Sequence, residues 1–309
     1  LAILILARMI NGILGSATRP GAGAWVADVT NLEERGAGYG RLNSGFSAGR
    51  IVGPAIAGFL LVISYTLPFY IFSIGLGVVA LLLIRQPSIK NKDKNDQKPG
   101  DLRLSDSRVW PFLLVGACLG VCNAALVQTS SFYFQDVIVP KSSNAIALAS
   151  LGFMLTAFGS ILGQLILADR LRISPGSLIR YGTLLCVVSL FCIALSNSLN
   201  SIYISLFLFG LGQGTQSTGL AASISLSVGP ENQGKANGFM GMVLPIGHII
   251  SPIIAMPLYM NSPEYPYILG GITMFGALIF IQINSRHKWI RKKGYKKINI
   301  ERNQSIEES

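Results

Sequence analysis

Charged residues are scarce in this chain, and so are the motifs that many soluble enzymes need. Only 13% of the 309 residues are Asp, Glu, Lys or Arg, whereas a soluble domain usually carries about 25%. The four cysteines include no CxxC spacing and are too few for a disulfide framework. No HExxH motif and no GK[ST] phosphate loop occur. These absences argue against a soluble enzyme, and we expect neither a metal nor another cofactor.

Long apolar runs are what the chain has instead. Half of its residues are hydrophobic and its mean hydropathy is +0.52, and an apolar stretch of about 20 residues crosses a bilayer as a helix. The length of the runs and their lack of strict alternation exclude barrel strands. The sequence therefore predicts an all-α integral membrane protein with nine spans, at residues 2–27, 41–63, 67–85, 111–134, 145–168, 177–196, 202–225, 237–258 and 267–284.

The second half of the chain repeats the first at a constant offset of 198 residues, without gaps. Most of the matched residues are glycine and proline, which determine backbone shape rather than merely fill space. The matches include Gly12 with Gly210, Gly40 with Gly238, Gly49 with Gly247, Pro54 with Pro252 and Pro68 with Pro266. Parallel repeats of a helix bundle are typical of one large class of secondary transporters. We therefore expect two pseudo-symmetric six-helix bundles.

The repeat also predicts how the chain is divided. Residues 1–85 would form the last three helices of an N-terminal bundle, and residues 109–285 a complete C-terminal bundle. Residues 86–108 are rich in Lys, Asp, Asn, Pro and Gly and would be a solvated cytoplasmic linker, and residues 286–309 a basic tail. The span at 111–134 has its repeat partner about 85 residues before the first residue. We therefore expect three further helices upstream of this sequence.

Basic residues predict the orientation of the spans. Apart from Lys141, those between the spans lie in the odd-numbered connections and in the tail, and short loops rich in Lys and Arg stay in the cytoplasm. The sequence thus predicts a multi-pass protein of a bacterial cytoplasmic membrane with a cytoplasmic C-terminus. The net charge of +11 follows from this orientation and does not indicate a nucleic-acid partner, because no folded soluble part carries a basic stripe.

The most specific local motif lies in the second span. Gly40, Gly49, Gly53, Pro54 and Gly58 follow the spacing Gly-x8-Gly-x3-Gly-Pro-x-x-Ala-Gly. Glycines at four-residue spacing let a neighbouring helix approach closely, and the proline bends its own helix. The motif resembles that of the fifth helix in the drug:proton antiporter branch of the major facilitator superfamily, where this helix is thought to seal the path between the halves. An ordinary close-packed helix is the alternative.

A second motif, Leu4-x3-Arg8-x2-Asn11-Gly12, lies in the first span. An arginine within a span is costly to bury, so it should face the bundle interior and have a polar partner. The motif resembles Leu-x3-Arg-x2-Gln-Gly in the fourth helix of the same branch, with Asn11 in place of the Gln. The resemblance implies a role of Arg8 in proton coupling. The alternative is an arginine whose side chain reaches the membrane surface.

Three further basic residues lie within spans. Arg19 is in mid-span, and Arg50 lies inside the glycine motif with His248 as its repeat partner. Polar residues at equivalent places in both bundles suggest a shared central cavity, and structural pairing explains them equally well. His248 could titrate near neutral pH, with a hydrogen-bonded packing histidine as the alternative. No Asp or Glu lies in mid-span, so a membrane-embedded carboxylate that binds protons would lie outside this sequence.

Two charged clusters lie on the predicted cytoplasmic side. They comprise Asp28, Glu34, Arg35, Asp169, Arg170 and Arg172. The second cluster resembles a degenerate copy of the family's loop motif of Gly, Asp and basic residues. The resemblance implies that these charges hold the two bundles together in the outward-facing state. Ordinary pairing at helix ends is the alternative.

Polar side chains in the later spans are candidates for a substrate path. They are Asn123, Gln128, Gln213 and Gln216, with Phe132, Tyr133 and Phe134 as an aromatic surface at the outer end of their helix. Hydrogen bonds between helices explain the amides as well as substrate contact does.

The sequence and the resemblance together predict a monomeric secondary transporter. Its predicted activity is proton-coupled efflux of drugs or other amphipathic small molecules by alternating access, with protons as the coupling ion. An uptake or exchange carrier for a specific metabolite is the alternative within transport. A non-transporting membrane receptor or scaffold is the alternative of another class, and an enzyme is not expected.

Overall fold

A computed structural model of the chain describes residues 2–16, 66–85, 102–140, 142–164, 173–228 and 232–284, together with scattered positions between 18 and 64. Its helices are α1 (Ala2–Ser16), α2 (Leu67–Ile84), α3 (Trp110–Tyr133), α4 (Ala145–Leu162), α5 (Pro175–Ala194), α6 (Leu199–Ser227), α7 (Gln233–Asn261) and α8 (Tyr265–Asn284). A π turn, Phe134–Ile138, continues α3. These ranges contain no strand, and the prediction of an all-α membrane protein is confirmed.

Six of the described helices are long and apolar enough to cross a membrane. They are α2, α3 with its π turn, α4, α5, the Gly238–Asn261 part of α7, and α8. A shorter apolar stretch, Ile5–Gly15, lies in α1. Although α6 has 29 residues, it is not in this group, because its glycine, serine, threonine and glutamine residues reduce its hydropathy. Most of the span predicted at 41–63 lies outside the described residues.

Local sequence explains where several helices begin. Pro68, Pro111 and Pro175 each occupy the first turn of a helix, where the missing N–H would have no partner in the helix anyway. The side chain of Ser174 accepts a hydrogen bond from the backbone N–H of Ser177 at the start of α5. Ser198 begins α6 in the same way. These caps satisfy backbone donors that the helix itself leaves unpaired.

The chain divides into two compact units. The first comprises residues 1–53 and 64–96 and the second comprises residues 54–63 and 97–309. In the first unit, the apolar side chains of α1 and α2 are largely exposed, and only Pro68 is buried in α2. Apolar helices with so little burial are suited to a lipid environment or to further helices, not to water.

The second unit contains a six-helix bundle formed by α3 to α8. The main neighbours are α5 with α6, α4 with α6, α3 with α7, and α8 with both α5 and α3. Its principal core contains Leu126, Phe134, Leu190, Phe209 and Met274, all almost completely buried. This core holds the polar side chains of α3 and α6 at defined positions.

Helix α6 lies between α4 and α5 with its backbone in direct contact with both. A Cβ atom at Gly210 would overlap the carbonyl of Thr156 on α4. On the opposite face, a Cβ at Gly212 would lie 2.8 Å from the carbonyl oxygen of Gly182 on α5. Small residues permit this closeness, which is a main source of helix association in lipid. The low hydropathy of α6 is thus a consequence of its central place in the bundle.

Candidate functional site

A pair of amide side chains joins α3 to α6 inside the second unit. The Nε2 atom of Gln213 donates a hydrogen bond of 2.7 Å to Oδ1 of Asn123. Gln213 is 4% exposed, and Asn123 is half-buried. The structure therefore shows the interhelical hydrogen bond that was the alternative explanation for both residues, and their contact with a substrate stays a prediction.

Two further amides predicted for the substrate path have different surroundings. The hydroxyl of Ser251 on α7 donates to Oε1 of Gln128 on α3 at 3.2 Å. Gln216, one turn after Gln213, is fully buried, and neither polar atom of its side chain has a hydrogen-bond partner among the described residues. An unpaired buried amide costs about 1–3 kcal/mol. Gln216 is consequently the one of these four amides whose side-chain hydrogen bonds are not accounted for by the described residues.

The C-terminal end of α3 and its π turn place an aromatic ring near a carboxylate. Phe132 is 43% exposed, and its ring centroid lies 6.2 Å from that of Tyr259 on α7. The hydroxyl of Tyr259 donates to Oδ2 of Asp136 at 2.7 Å. These groups could contact an amphipathic molecule at this end of the bundle.

The other two aromatics predicted for this surface are not available there. Tyr133 and Phe134 are both 0% exposed, so the prediction of an aromatic surface was wrong for these two residues. The ring of Tyr133 packs edge-on against Tyr267 at 5.1 Å, and that of Phe134 lies 5.9 Å from Tyr203. Successive residues of a helix point about 100° apart, so only Phe132 of the three remains at the surface.

Sequence reasoning missed the hydroxyl groups that complete these contacts. Ser251, Tyr259 and Tyr267 are all partners of α3 side chains, and Thr129 donates to the Tyr267 hydroxyl at 3.0 Å. The repeat offered one indication, because Ser251 occupies the place equivalent to Gly53 of the glycine motif. The two tyrosines had no such indication, since their roles depend on which helix faces α3.

The glycine motif is described only in part. A Cβ atom at Gly49 or Gly53 would meet no heavy atom of the described residues within 4 Å, so a close helix approach at these residues stays a prediction. At Gly247, the repeat counterpart of Gly49, a Cβ would overlap the backbone of Gly120 on α3. The second copy of the motif therefore does bring two helices into backbone contact.

The described candidates for proton coupling lie on two different helices, α1 and α7. Arg8 and Asn11 are exposed on α1, and no described side chain pairs with either. This places Arg8 on a surface of the first unit, and its proposed partners are not among the described residues. His248 is exposed on α7, and its role in proton coupling stays a prediction.

Other predicted site residues lie outside the described ranges. They are Arg19, Arg50, Asp28, Glu34, Arg35, Gly40, Pro54, Gly58, Asp169, Arg170 and Arg172. Within the described ranges, no three His, Cys, Asp or Glu side chains come close enough together to hold a metal ion.

A tight ion pair precedes α3. Arg108 donates from its Nη2 to Oδ2 of Asp106 at 2.7 Å and from its Nε to Oδ1 at 3.0 Å. The Asp106 side chain also accepts from the backbone N–H of Arg108 at 2.9 Å. Hydrogen bonds from the Arg108 side chain and then from its backbone lower the pKa of Asp106 from its ordinary value to about 2.

Comparison with known proteins identifies the family of these bundles. The sequence model of the Major Facilitator Superfamily matches residues 1–252 and 142–302. Multidrug resistance protein 1 of Bacillus subtilis (strain 168) is 27% identical over 284 residues, which are 88% of this chain and 70% of that protein. Quinolone resistance protein NorA of Staphylococcus aureus (strain MSSA476) is 27% identical over 298 residues, 93% of this chain and 74% of that protein.

A solved structure shows the same fold. The chain matches a bacterial homolog of the human lysosomal transporter Spinster, crystallised in an inward-facing and occupied conformation, with a TM-score of 0.65. The match covers 89% of this chain and 75% of that one at 15% identity. At such low identity the likeness concerns the arrangement of helices and not the substrate.

Proposed function

This chain belongs to the major facilitator superfamily, and we propose that it exports amphipathic small molecules in exchange for protons by alternating access. It is a multi-pass membrane transporter and not an enzyme. One observation carries the export proposal. Two proteins named for drug resistance are each 27% identical in sequence to this chain, over 88% and 93% of its length. The glycine-proline motif around Pro54 supports the same direction of transport.

The polar side chains of the second bundle support a substrate with few polar groups. Asn123, Gln128, Gln213 and Ser251 pair among themselves across three helices. Hydrogen bonds between transmembrane helices contribute only about 0.6 kcal/mol on average, so a substrate amine or hydroxyl can replace one of these partners at small cost. The remaining lining would be apolar, which suits amphipathic molecules.

The proposal also assigns residues to proton coupling and to the contacts that hold the two bundles together. Arg8 would act in proton coupling from α1, and the charged clusters around Arg35 and Arg170 would hold the cytoplasmic ends of the two bundles together in one state. Bundles at 1–85 and 109–285, joined by the linker 86–108, would move against each other in a monomer. The tail 286–309 would lie in the cytoplasm of a bacterial cell.

Efflux of a fluorescent amphipathic cation tests this proposal. Cells that express the complete reading frame would be loaded with the dye, energised, and followed before and after an uncoupler collapses the proton gradient. We expect lower dye content than in cells with an empty vector, and loss of the difference on uncoupling. Unchanged dye content across a panel of dyes and antibiotics would refute export of amphipathic molecules and favour a carrier for a specific metabolite.

Substitutions at Arg8 separate coupling from stability. Arg8→Ala should abolish the gradient-dependent difference, whereas Arg8→Lys should retain part of it because the positive charge remains. Arg85→Ala is the matched control, since it removes an exposed arginine at the end of α2 in the same unit. Membrane expression would be quantified for each variant. Equal transport by the two alanine variants would show that Arg8 has no special role.

A further inference from the structure

A cavity of about 400 Å³ lies between three helix ends of the second unit, away from the amide pairs described above. Its walls come from the first turns of α3 and α5 and from the last turns of α8. All three helices are membrane spans, and their ends lie on the same side of the bundle. The cavity therefore lies where the spans leave the bilayer, at the level of lipid headgroups.

The floor and the rim of this cavity differ in polarity. Val115 and Ile179 on the floor are each 2% exposed and apolar. At the rim, Trp110 is 40% exposed, with its ring 5.6 Å from that of Phe280. The Arg108 side chain, 38% exposed, also lines the rim. An apolar floor below an aromatic and cationic rim matches an acyl chain below an anionic headgroup.

The segments that precede and follow the cavity-lining residues in sequence carry a net positive charge, with six basic against four acidic residues at 86–108 and eight basic against three acidic residues at 286–309. The linker ends at the cavity with Arg108, and the tail begins directly after Asn284, which also lines it. Their basic residues include Lys90, Lys92, Lys94, Lys98, Arg103, Arg286, Lys288, Arg291, Lys292 and Lys293. Clusters of four to eight basic residues next to a membrane span typically bind anionic lipid. The net positive charge of these sequence neighbours thus favours an anionic occupant.

We propose that the cavity bounded by Arg108, Trp110, Ile179 and Phe280 binds an anionic phospholipid of the adjacent leaflet. One acyl chain would occupy the apolar floor, and the phosphate would lie beside the Arg108 guanidinium. The volume lies within the range of about 300–1,000 Å³ that small-molecule sites occupy. Asp106 competes with the phosphate for Arg108, because it already accepts three hydrogen bonds from that side chain. The site is independent of the efflux proposal, since it needs only the second bundle and a membrane.

Fluorescence of Trp110 provides a direct test. The chain has three tryptophans, so Trp25→Phe and Trp289→Phe leave Trp110 as the only one. The protein would be reconstituted in vesicles of phosphatidylcholine with a minority of phosphatidylglycerol. Bromine, which quenches tryptophan, would be carried on the acyl chains of either the phosphatidylglycerol or an equal amount of the phosphatidylcholine. Headgroup composition and bromine density are then identical in the two samples.

The proposal predicts about fivefold preference for the anionic lipid, the factor expected for one arginine at a membrane surface. Bromine on phosphatidylglycerol should accordingly quench Trp110 more strongly than bromine on phosphatidylcholine. Arg108→Gln should make the two quenching values equal. Asp106→Asn should increase the difference, because it removes the competing carboxylate. Ile179→Phe should reduce quenching by both lipids, because the added ring fills the floor.

An arginine outside the cavity provides a matched control for Arg108. Arg103→Gln removes an arginine that does not line the cavity, and it should leave the preference intact. Circular dichroism and gel filtration would confirm that each variant is folded. Equal quenching in the two wild-type samples would mean ordinary contact with surrounding lipid and would overturn the proposal. A preference that persists in Arg108→Gln, or one that disappears in Arg103→Gln, would overturn the assignment to this cavity.

Discussion

Replacing Gly182 with alanine should separate two helices of the second bundle. A Cβ atom there would lie 2.5 Å from the backbone nitrogen of Gln216 and 2.7 Å from the carbonyl oxygen of Gly212, both on α6. These are backbone atoms of a packed helix, so no side-chain rotation can relieve the clash. Van der Waals contact requires about 3.4 Å or more, and α5 and α6 would therefore have to move apart by roughly 0.9 Å at this point.

A second glycine provides the reference for measuring how much this clash lowers stability. Gly276 on α8 is exposed, and a Cβ atom there would meet nothing within 4 Å. Both substitutions gain about 1 kcal/mol of helix propensity, so the difference between them reports packing alone. Overpacking of this kind costs about 1–3 kcal/mol. Gly182→Ala should therefore unfold roughly 2–12 °C below Gly276→Ala, using the usual shift for a domain of this size.

Thiol labelling during heating measures this difference. Cys186 is 0% exposed and Cys122 is 3% exposed, so a thiol-reactive dye reaches them only when the bundle opens. Cys192 is exposed and Cys118 is half-buried, and both would be replaced by serine or alanine in every protein compared. Equal unfolding temperatures for the two glycine variants would refute the backbone contact between α5 and α6.

Two further predictions concern polar contacts. Gln213→Leu should lower the free energy of unfolding by about 0.6–1.7 kcal/mol, because it removes the hydrogen bond to Asn123. A double-mutant cycle with Asn123→Leu tests this pairing. If the two single substitutions lower the free energy of unfolding by strictly additive amounts, the pairing is contradicted. Asp106 has a pKa lowered to about 2, so its contribution to stability is complete above about pH 4 and is lost as the pH falls through 2. Since the pair is partly exposed, the difference in unfolding free energy between wild type and Asp106→Asn should stay below about 1 kcal/mol and disappear in strong acid. A difference that stays constant from pH 5 to pH 2 would contradict this explanation.

The ends of the spans were predictable because they depend on local composition. Span 177–196 was observed as Pro175–Ala194, and span 267–284 as Tyr265–Asn284. In each case charged or polar residues flank an apolar run, and a proline or serine begins the helix. The π turn after α3 was not predicted, and it carries the helix to Ile138. Such turns depend on packing, since Phe134 and Ile138 both join the core of the bundle.

The roles of individual polar residues were predictable only as sets of alternatives. Asn123 and Gln213 are 90 positions apart, and nothing in the sequence pairs them. Tyr133 and Phe134 were expected at a surface and are completely buried. Helices of a membrane bundle are apolar on most faces, so periodicity does not show which face meets a neighbour and which meets lipid.

The amino-acid sequence by itself determined that this protein is an all-α membrane transporter, and its internal repeat predicts two bundles. Apolar length fixes the spans, and the repeated glycines and prolines reveal the two halves, because both depend on residues close together or at a constant offset. Only the tertiary structure decided that Gln213 binds Asn123, that Gln216 is buried without a hydrogen-bond partner among the described residues, and that three helix ends enclose a cavity beside Arg108. These features depend on how the helices cross, and crossing is set by the combined packing of all six.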